Sequence, residues 1–376
     1  MRNKALKEMT DRSGMKKCKL FEPLSIRGID FKNRIFVSPM CQYSSEDGMA
    51  TDWHMVHLGT RAVGGAAAVI VEATAVEPRG RISPEDMGIW DDKHIEPFAR
   101  INRFIKSQNS VPGIQIAHAG RKASTLAPWR GRGIAGPEVG GWHPVGASAI
   151  AFDDNHPVPH ELSVEEIKGL VDDFVQAAKR ALEAGFGLIE IHNAHGYLLH
   201  SFLSPLSNRR EDQYGGSFEN RIRFSLEVID AVRNVIPDSM PLFLRISCTD
   251  WADGGWDLEQ SVELARVVGP RGVDLIDCSS GALVPGVSIP TEPGYQVPFA
   301  ETIRHEADIM TGAVGLITEA AQAESILEEG KSDIVLLARK LLRDPYWPLN
   351  AARELGVEVE WPDQYKRGRE LAALPR

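Results

Sequence analysis

Eight short apolar runs alternate with segments of helical pattern, and this alternation constrains the fold more than any other feature of the chain. Each run has four or five residues and suits a parallel strand that is buried on both faces. Eight such units predict an α/β protein whose strands close into a (β/α)8 (TIM) barrel, with an open doubly wound sheet as the alternative. The runs cover residues 34–37, 68–72, 113–117, 188–192, 242–246, 275–278, 313–317 and 334–338.

Three of the intervening segments are typical of amphipathic helices. Residues 172–184 end before a glycine, residues 218–235 follow Ser217 as a candidate N-cap, and residues 319–329 also end before a glycine. Ahead of the first strand, residues 24–31 predict a hairpin that would close the N-terminal end of the barrel.

The longest gap between strands follows the third run. Its part from 121 to 159 is rich in Gly, Pro and Trp and lacks a regular period, which is typical of a functional loop or lid. The chain shows no internal repeat and no low-complexity linker. We therefore interpret residues 1–19 as a flexible N-terminal extension, with an organelle-targeting segment as the alternative, and residues 20–376 as a single barrel domain with a C-terminal tail.

Charge and cysteine content narrow the class of protein. The net charge is -10, and an acidic surface repels a phosphate backbone, so we expect no nucleic-acid partner. No apolar run approaches the roughly 20 residues of a membrane span, so none is predicted. The four cysteines form no CxxC pair, which fits a reducing, cytoplasmic compartment.

Functional side chains of a barrel gather where its strands end, at the C-terminal face. The residues at those ends include His, Tyr, Arg, Cys and Gln, and no pair of Asp or Glu residues follows the strands with them. Such a set suits an anion and a planar cofactor better than a divalent metal or the hydrolysis of a glycoside. The residues are Ser38, Cys41, Tyr43, Gln115, His192, His195, Tyr197, Arg245, Gly315 and Arg339.

The pair His192 and His195 is ambiguous when taken alone. Structural histidines, metal ligands and hydrogen-bond donors to a substrate all remain open, although no HExxH motif or third ligand is evident. Tyr197 favours acid–base chemistry, because a positioned phenol donates a proton to a carbanion-like centre. Arg245 lies within an apolar strand and therefore needs an anionic or carbonyl partner. Gly315 and Arg339 follow the last two strands, where barrels often bind phosphate.

One further motif is misleading. Residues 131–136 match GxGxxG, but they follow Pro-Trp-Arg instead of a strand, and Pro137 comes immediately after them. A dinucleotide fingerprint requires a strand, a tight turn and then a helix. We therefore predict no Rossmann site here.

Several longer motifs resemble those of the old yellow enzymes, which are FMN-dependent ene-reductases, and in particular their thermophilic-like branch with a cysteine beside the flavin. The similarity extends over about residues 20–368. Its motifs are SPMCQY at 38–43, VEATA at 71–75, HNAHGY at 192–197, FLSPLSNRR at 202–210, YGGSFENR at 214–221 and LRDP at 342–345.

The resemblance implies non-covalent FMN, with NADPH or NADH as the hydride donor. It places Cys41 near the reactive edge of the flavin, Ala73 and Gln115 at the pyrimidine ring, and Arg245 at N1 and O2. It places Gly315, Ala338 and Arg339 at the phosphate. The residues implied to bind FMN are Ser38, Pro39, Met40, Cys41, Ala73, Gln115, Arg245, Gly315, Ala338 and Arg339.

The resemblance also implies an enone or nitro compound as substrate, held by His192 and His195 and protonated by Tyr197. Arg367 would enter the site from a neighbouring subunit of a homodimer or a dimer of dimers, although the family's aromatic after the following glycine is here Arg369. The residues implied to bind substrate are Tyr43, His192, Asn193, Ala194, His195 and Arg367.

Three other functions are alternatives to this interpretation. A metal-dependent barrel enzyme would use the two histidines, and a non-catalytic protein would bind FMN without turnover. Some relatives add an iron–sulfur module and reduce dienoyl-CoA esters, but this chain has no clustered cysteines for such a module.

Overall fold

A computed structural model describes residues 18–131 and 133–369 of the chain. Most of the N-terminal extension predicted over residues 1–19 therefore lies outside the described residues. Cys18 and Lys19 are described, and both contact the carboxylate of Glu324: the backbone N–H of Lys19 donates to Oε1 at 2.7 Å and the Cys18 thiol to Oε2 at 3.1 Å.

The described chain contains twelve strands and ten α-helices. The strands are β1 Leu24–Ile26, β2 Ile29–Phe31, β3 Ile35–Val37, β4 Ala68–Ala75, β5 Val111–Ala117, β6 Val145–Gly146, β7 His160–Glu161, β8 Leu188–Asn193, β9 Leu242–Ser247, β10 Leu275–Ser279, β11 Met310–Ala313 and β12 Ile334–Leu337. The helices are α1 Asp52–Val63, α2 Ile95–Ser107, α3 Val164–Glu183, α4 Leu198–Leu203, α5 Phe218–Val235, α6 Leu258–Val268, α7 Val297–Ala307, α8 Ala320–Glu328, α9 Arg339–Arg343 and α10 Trp347–Leu355.

Eight parallel strands close into a barrel in the order β3-β4-β5-β8-β9-β10-β11-β12, and β12 pairs with β3. The predicted (β/α)8 barrel is confirmed, and the alternative of an open sheet is wrong because the sheet has no free edge. Helices lie between most of the strands and cover their outer faces, so the strands are buried on both sides, as their nearly continuous apolar sequence requires. None of the helices in the described ranges is long and apolar enough to cross a membrane.

The hairpin β1–β2 lies at the N-terminal end of the barrel, as predicted. Its Phe31 ring packs on Phe36 of β3 with centroids 4.8 Å apart, and Phe36 stacks in turn on Phe243 of β9 at 6.2 Å. These rings belong to a buried apolar cluster formed by the first residues of several barrel strands. The end of the barrel opposite the strand carboxyl termini is therefore filled with side chains, which leaves the other end for function.

Several predicted elements differ from the observed ones in their bounds, two of them by more than a few residues at one end. The helix predicted over 172–184 begins eight residues earlier, because Ser163 and Glu166 form a capping box: Glu166 N donates to Ser163 Oγ at 3.2 Å, and Ser163 N donates to Glu166 Oε2 at 2.8 Å. The seventh strand was predicted over 313–317 but spans Met310–Ala313. Gly315 and Leu316 have φ of +117° and +53°, which no strand accommodates.

The strand β4 carries a bulge where it enters the functional end. Val71 pairs with Ile114 and Thr74 with Ile116, so β4 holds one residue more than β5 over the same length. Bulges bend a strand and re-aim its side chains, and they are frequent beside active sites. The extra residue falls at Glu72 and Ala73, two positions before the strand ends.

Candidate active site

The C-terminal end of the barrel brings together residues from three separate strand ends. Cys41 and Tyr43 follow β3, Ala73 lies at the bulge of β4, and Tyr197 follows β8. All four pack around one small apolar cluster. The long loop after β5 covers them, because the Trp142 ring contacts the same cluster and the Trp129 ring meets Tyr43 edge-on with centroids 5.7 Å apart. This loop is therefore part of the site.

A buried carboxylate holds the loop that follows β3. Glu72 Oε1 accepts a hydrogen bond from the backbone N–H of Gln42 at 2.8 Å. Its neighbour Ala73 directs its backbone N–H at the Cys41 thiol. Burial raises the pKa of Cys41 well above its usual range, and the carboxyl groups of Asp86 and Glu72 raise it further. Cys41 is therefore a neutral thiol at physiological pH.

The two histidines and Tyr197 form a compact triangle. The ring centroid of His192 lies 5.1 Å from that of His195 and 5.1 Å from that of Tyr197, and the His195–Tyr197 distance is 6.5 Å. His192 is the penultimate residue of β8, whereas the other two follow the strand. A tight turn is needed to return Tyr197 to the side of His192.

That turn consists of His195 and Gly196, whose φ angles are +61° and +73°. A Cβ atom at Gly196 would lie 2.4 Å from the carbonyl oxygen of Ala282, so only glycine fits there. His195 adopts an uncommon conformation for a residue with a side chain, and it is held there by two hydroxyl groups. Ser247 Oγ accepts from its backbone N–H at 2.9 Å, and Ser279 Oγ lies 2.7 Å from its Nε2.

Burial fixes the protonation states of the triangle. It lowers the pKa of His192 and His195 well below the usual range, and the positive charges of Arg245 and Lys122 lower both further. It raises the pKa of Tyr197 well above 10. At neutral pH the site therefore presents two neutral imidazoles, each with one N–H, beside a protonated phenol.

The two residues between the histidines are placed differently. Asn193 is fully buried, and its Oδ1 accepts from Ser225 of α5 at 3.4 Å, so its side chain points outward from the barrel. Ala194 accepts the backbone N–H of Tyr197 at 3.2 Å and thereby stabilises the turn. Their role in binding substrate stays a prediction.

Lys122 is a site residue that the sequence did not single out. Its Nζ donates to the carbonyl oxygens of His195 at 2.9 Å and Ala282 at 2.8 Å, and it lies 5.3 Å from the centroid of the Tyr197 ring. Burial lowers the pKa of its ammonium group to about 8. Lys122 thus stabilises the turn that carries His195 and brings positive charge close to the phenol.

Below the triangle, polar side chains fill the barrel. Arg245 donates from Nη1 to Ser38 Oγ at 3.1 Å, and its Nε lies 3.3 Å from Asp277 Oδ2. Gln115 Nε2 donates to Glu190 Oε1 at 2.7 Å. The expectation that no pair of carboxyl groups accompanies the site is therefore wrong. Glu190 and Asp277 lie inside the strands and not after them, so the residues that follow each strand do not reveal them.

A cavity of about 230 Å³ opens beside the ends of β11 and β12. Arg245, Gly315, Ala338 and Arg339 all line it, together with Lys340 and Arg343. The backbone of Gly315 passes close to Gln296, so that a Cβ atom there would lie 2.9 Å from Nε2. The cavity therefore combines close backbone approach with several positive charges, which suits a phosphate group.

Arg367 does not line this cavity and is exposed. It belongs to a short 3-10 helix, Asp363–Gly368, that follows α10. The segment is anchored by Tyr365, whose hydroxyl lies 3.3 Å from that of Tyr346. Within the described ranges, no group of three or more His, Cys, Asp or Glu side chains is arranged to hold a metal ion.

Comparison with known proteins gives a consistent picture. The family profile described as "NADH:flavin oxidoreductase / NADH oxidase family" matches residues 19–358. An NADPH dehydrogenase of Bacillus subtilis is 51% identical over 352 residues, which are 93% of this chain and 99% of that protein. An NADH:flavin oxidoreductase of Gibberella zeae is 46% identical over 92% of this chain and 88% of its own length.

The similarity extends to solved structures. Morphinone reductase in complex with tetrahydroNAD superposes with a TM-score of 0.74 at 29% identity, over 92% of this chain and 93% of that one. A second structure of morphinone reductase gives a TM-score of 0.76 at 27% identity, over 93% and 92% of the two chains.

Proposed function

Because the chain belongs to the NADH:flavin oxidoreductase / NADH oxidase family, and is thereby an FMN-dependent enzyme that takes hydride from a nicotinamide, we propose that it is an ene-reductase. Its substrates are α,β-unsaturated carbonyl or nitro compounds. The resemblance to old yellow enzymes noted in the sequence is confirmed. The observation that carries the proposal is the triangle of His192, His195 and Tyr197, which offers hydrogen-bond donors and a proton source at one place.

The residues present fit FMN. Arg245 is buried, lines the cavity beside β11 and β12 and donates no hydrogen bond from its Nε to the described residues, so its guanidinium group can face the pyrimidine edge of the ring. We assign the phosphate to Gly315, Ala338 and Arg339, which line one cavity with Arg245. We place Ser38, Pro39, Met40, Cys41, Ala73 and Gln115 along the ring.

When bound, FMN would supply the hydride chemistry that links the nicotinamide to the β-carbon of the substrate. The protein supplies the remaining steps. His192 and His195 donate hydrogen bonds to the substrate oxygen and stabilise the negative charge that develops on it. Tyr197 then donates its phenolic proton to the α-carbon, and its raised pKa ensures that this proton is present at neutral pH.

Two further groups complete the substrate site in this proposal. Tyr43 and Trp129 meet edge to face and form an outer wall that excludes water. Arg367 acts on the site of a neighbouring subunit: it is exposed in its own chain, and the aromatic segment around Tyr365 offers a surface for a second copy. The proposed assembly is a homodimer or a dimer of dimers.

The proposal predicts a yellow protein whose FMN is held without a covalent bond. Boiling should release all of the flavin into the supernatant, because the cavity offers charges and backbone groups but no attachment chemistry. Anaerobic addition of NADPH should bleach the colour, and cyclohexenone should then restore it. Bleaching without recovery upon addition of either an enone or a nitroalkene would show that the enzyme takes hydride from NADPH but lacks ene-reductase activity.

We predict that Cys41→Ser shifts the reduction potential of bound FMN and changes the preference among substrates, while the fold stays intact. The thiol is neutral and lies at the strand end beside Ala73, so its replacement alters the polarity near the ring and not the core. The potential is measured by anaerobic titration. Cys248→Ser serves as the control, because Cys248 directly follows β9 and is buried in the hydrophobic core. An equal potential in wild type and Cys41→Ser would assign Cys41 a packing role only.

A further inference from the structure

Two carboxyl groups meet inside the barrel below the site. The side chains of Glu190 on β8 and Asp277 on β10 are both fully buried and lie within hydrogen-bonding distance of one another. Two ionised carboxylates in contact repel each other because both are negative. Neither can donate a hydrogen bond to the other, because an ionised carboxylate only accepts. Three of their four oxygens receive no hydrogen bond from the described residues. One proton shared between the two groups removes both difficulties.

The neighbours of the pair provide one positive charge. Arg245 of β9 lies with Nε 3.3 Å from Asp277 Oδ2. From β5 the neutral amide of Gln115 donates to Glu190. Along β8 the next residue on the same face is His192, which burial keeps neutral.

The remaining contacts are uncharged. The cross-strand partner of Glu190 on β9 is Phe243, and that of Asp277 on β11 is Gly312. Ser38, which follows β3, accepts from Arg245. The charge of the cluster therefore depends on the pair: with one shared proton it is neutral, and without that proton it carries one negative charge.

We propose that Glu190 and Asp277 share a single proton and that this proton stabilises the reduced form of FMN. The proton does so because it prevents a net negative charge beneath the cofactor. The proposal rests on the placement of FMN against Arg245 given above. Reduction adds negative charge to the cofactor, and an additional uncompensated carboxylate in a medium of low polarity would oppose it.

The protonation behaviour of the two groups agrees with this assignment. Burial raises the pKa of Glu190, and the neighbouring Asp277 raises it further. Burial also raises the pKa of Asp277, while Arg245 opposes that change. The two groups titrate as a pair, so the shared proton is held at neutral pH and is lost as the pH rises through the higher pKa of the pair.

Infrared spectroscopy tests the proton directly. The wild-type holoenzyme at pH 7 should show the C=O stretch of a protonated carboxyl group that decreases at alkaline pH. Glu72 and Asp86 are also buried carboxyl groups, so the band is assigned by its loss in Glu190→Gln and in Asp277→Asn. Asp274→Asn is the matched control, because Asp274 precedes the same strand at the opposite end of the barrel.

The reduction potential tests the function of the proton. Above the pH at which the oxidised enzyme loses the shared proton, reduction takes up one proton at the pair, so the potential of wild type should fall more steeply with pH there than that of Glu190→Gln. The added slope is that of one proton for two electrons: each pH unit is a tenfold change in proton activity, which corresponds to about 30 mV. Asp274→Asn should keep the wild-type slope, and Asp277→Asn should lose the added slope as Glu190→Gln does.

Two results would overturn the proposal. One is a carboxyl band that is absent in wild type or unchanged in both variants of the pair. The other is an equal slope in wild type and both variants. If Glu190→Gln does not retain FMN, Asp277→Asn and the infrared spectra of wild type decide the question. Neither measurement uses an unsaturated substrate. A failure of the proposal on the carboxyl pair is therefore distinct from a failure of the proposed ene-reductase activity.

Discussion

Replacement of Tyr197 by Phe is expected to slow the reduction of an enone by about 10²–10⁴-fold, the usual contribution of a positioned general acid. This loss corresponds to about 3–5 kcal/mol in the activation free energy. The reduction of bound FMN by NADPH should be unchanged, because that step takes hydride from the nicotinamide and needs no proton from the phenol. Stopped-flow measurement of the two half-reactions separates the effects.

The structure offers a matched control for this experiment. Tyr214 is also buried, and its hydroxyl donates to Glu227 at 3.0 Å, outside the site. Tyr214→Phe removes a buried phenolic hydroxyl without touching the triangle, so both half-reactions should keep their wild-type rates. Equal slowing of the two half-reactions in Tyr197→Phe would remove Tyr197 from the role of proton donor and point to a role in the placement of the cofactor.

The fold could be predicted from the sequence because the strands of a parallel barrel are buried on both faces and therefore have nearly continuous apolar sequences. The eight runs and the helix α5 with its Ser217 cap follow from that periodicity alone. The error at β11 has a physical cause. Residues 313–317 are as apolar as a strand, but apolarity does not report backbone angles, and Gly315 and Leu316 turn the chain with positive φ. Both residues of this turn line the cavity beside β11 and β12.

The site could be predicted less completely. Residues after each strand end are visible in the sequence, and the structure brings His192, His195 and Tyr197 together. Glu190 could also have been found, because it precedes His192 by two positions and side chains two apart in a strand face the same way. The same rule links Asp277 to Ser279, which contacts His195. The two-residue period of side chains along a strand was thus sufficient to place Glu190 and Asp277 on the inner faces of their strands.

Lys122 could not have been found in this way. It belongs to no strand, and it reaches Tyr197 only because the loop after β5 folds over the end of β8. Its role depends on two backbone carbonyls, those of His195 and Ala282, that are distant in sequence from it and from each other. Contacts of this kind have no local signature, since a backbone carbonyl is present at every position.

Loss of either imidazole of the triangle is expected to reduce enone turnover by about 10²–10³-fold, as for the removal of one donor from an oxyanion hole. His192→Ala and His195→Ala should also lose the long-wavelength absorption band that phenols give when they bind over oxidised flavin. A phenolate oxygen occupies the position of the substrate oxygen in this proposal and accepts hydrogen bonds from both rings. Titration with a para-substituted phenol measures the band and the Kd together.

The control variant is His57→Ala, because His57 is a buried neutral imidazole on α1 and does not belong to the triangle. It should retain the band. His192→Asn is informative in the other direction, since an amide N–H restores a donor near the same position and should recover part of the affinity for phenol. Ser279→Ala should weaken the band less than His195→Ala does, because the hydroxyl only orients the ring. Unaltered phenol titrations in both alanine variants would show that another group, such as the ammonium of Lys122, binds the phenolate oxygen. The two histidines would then serve to hold the turn that presents Tyr197.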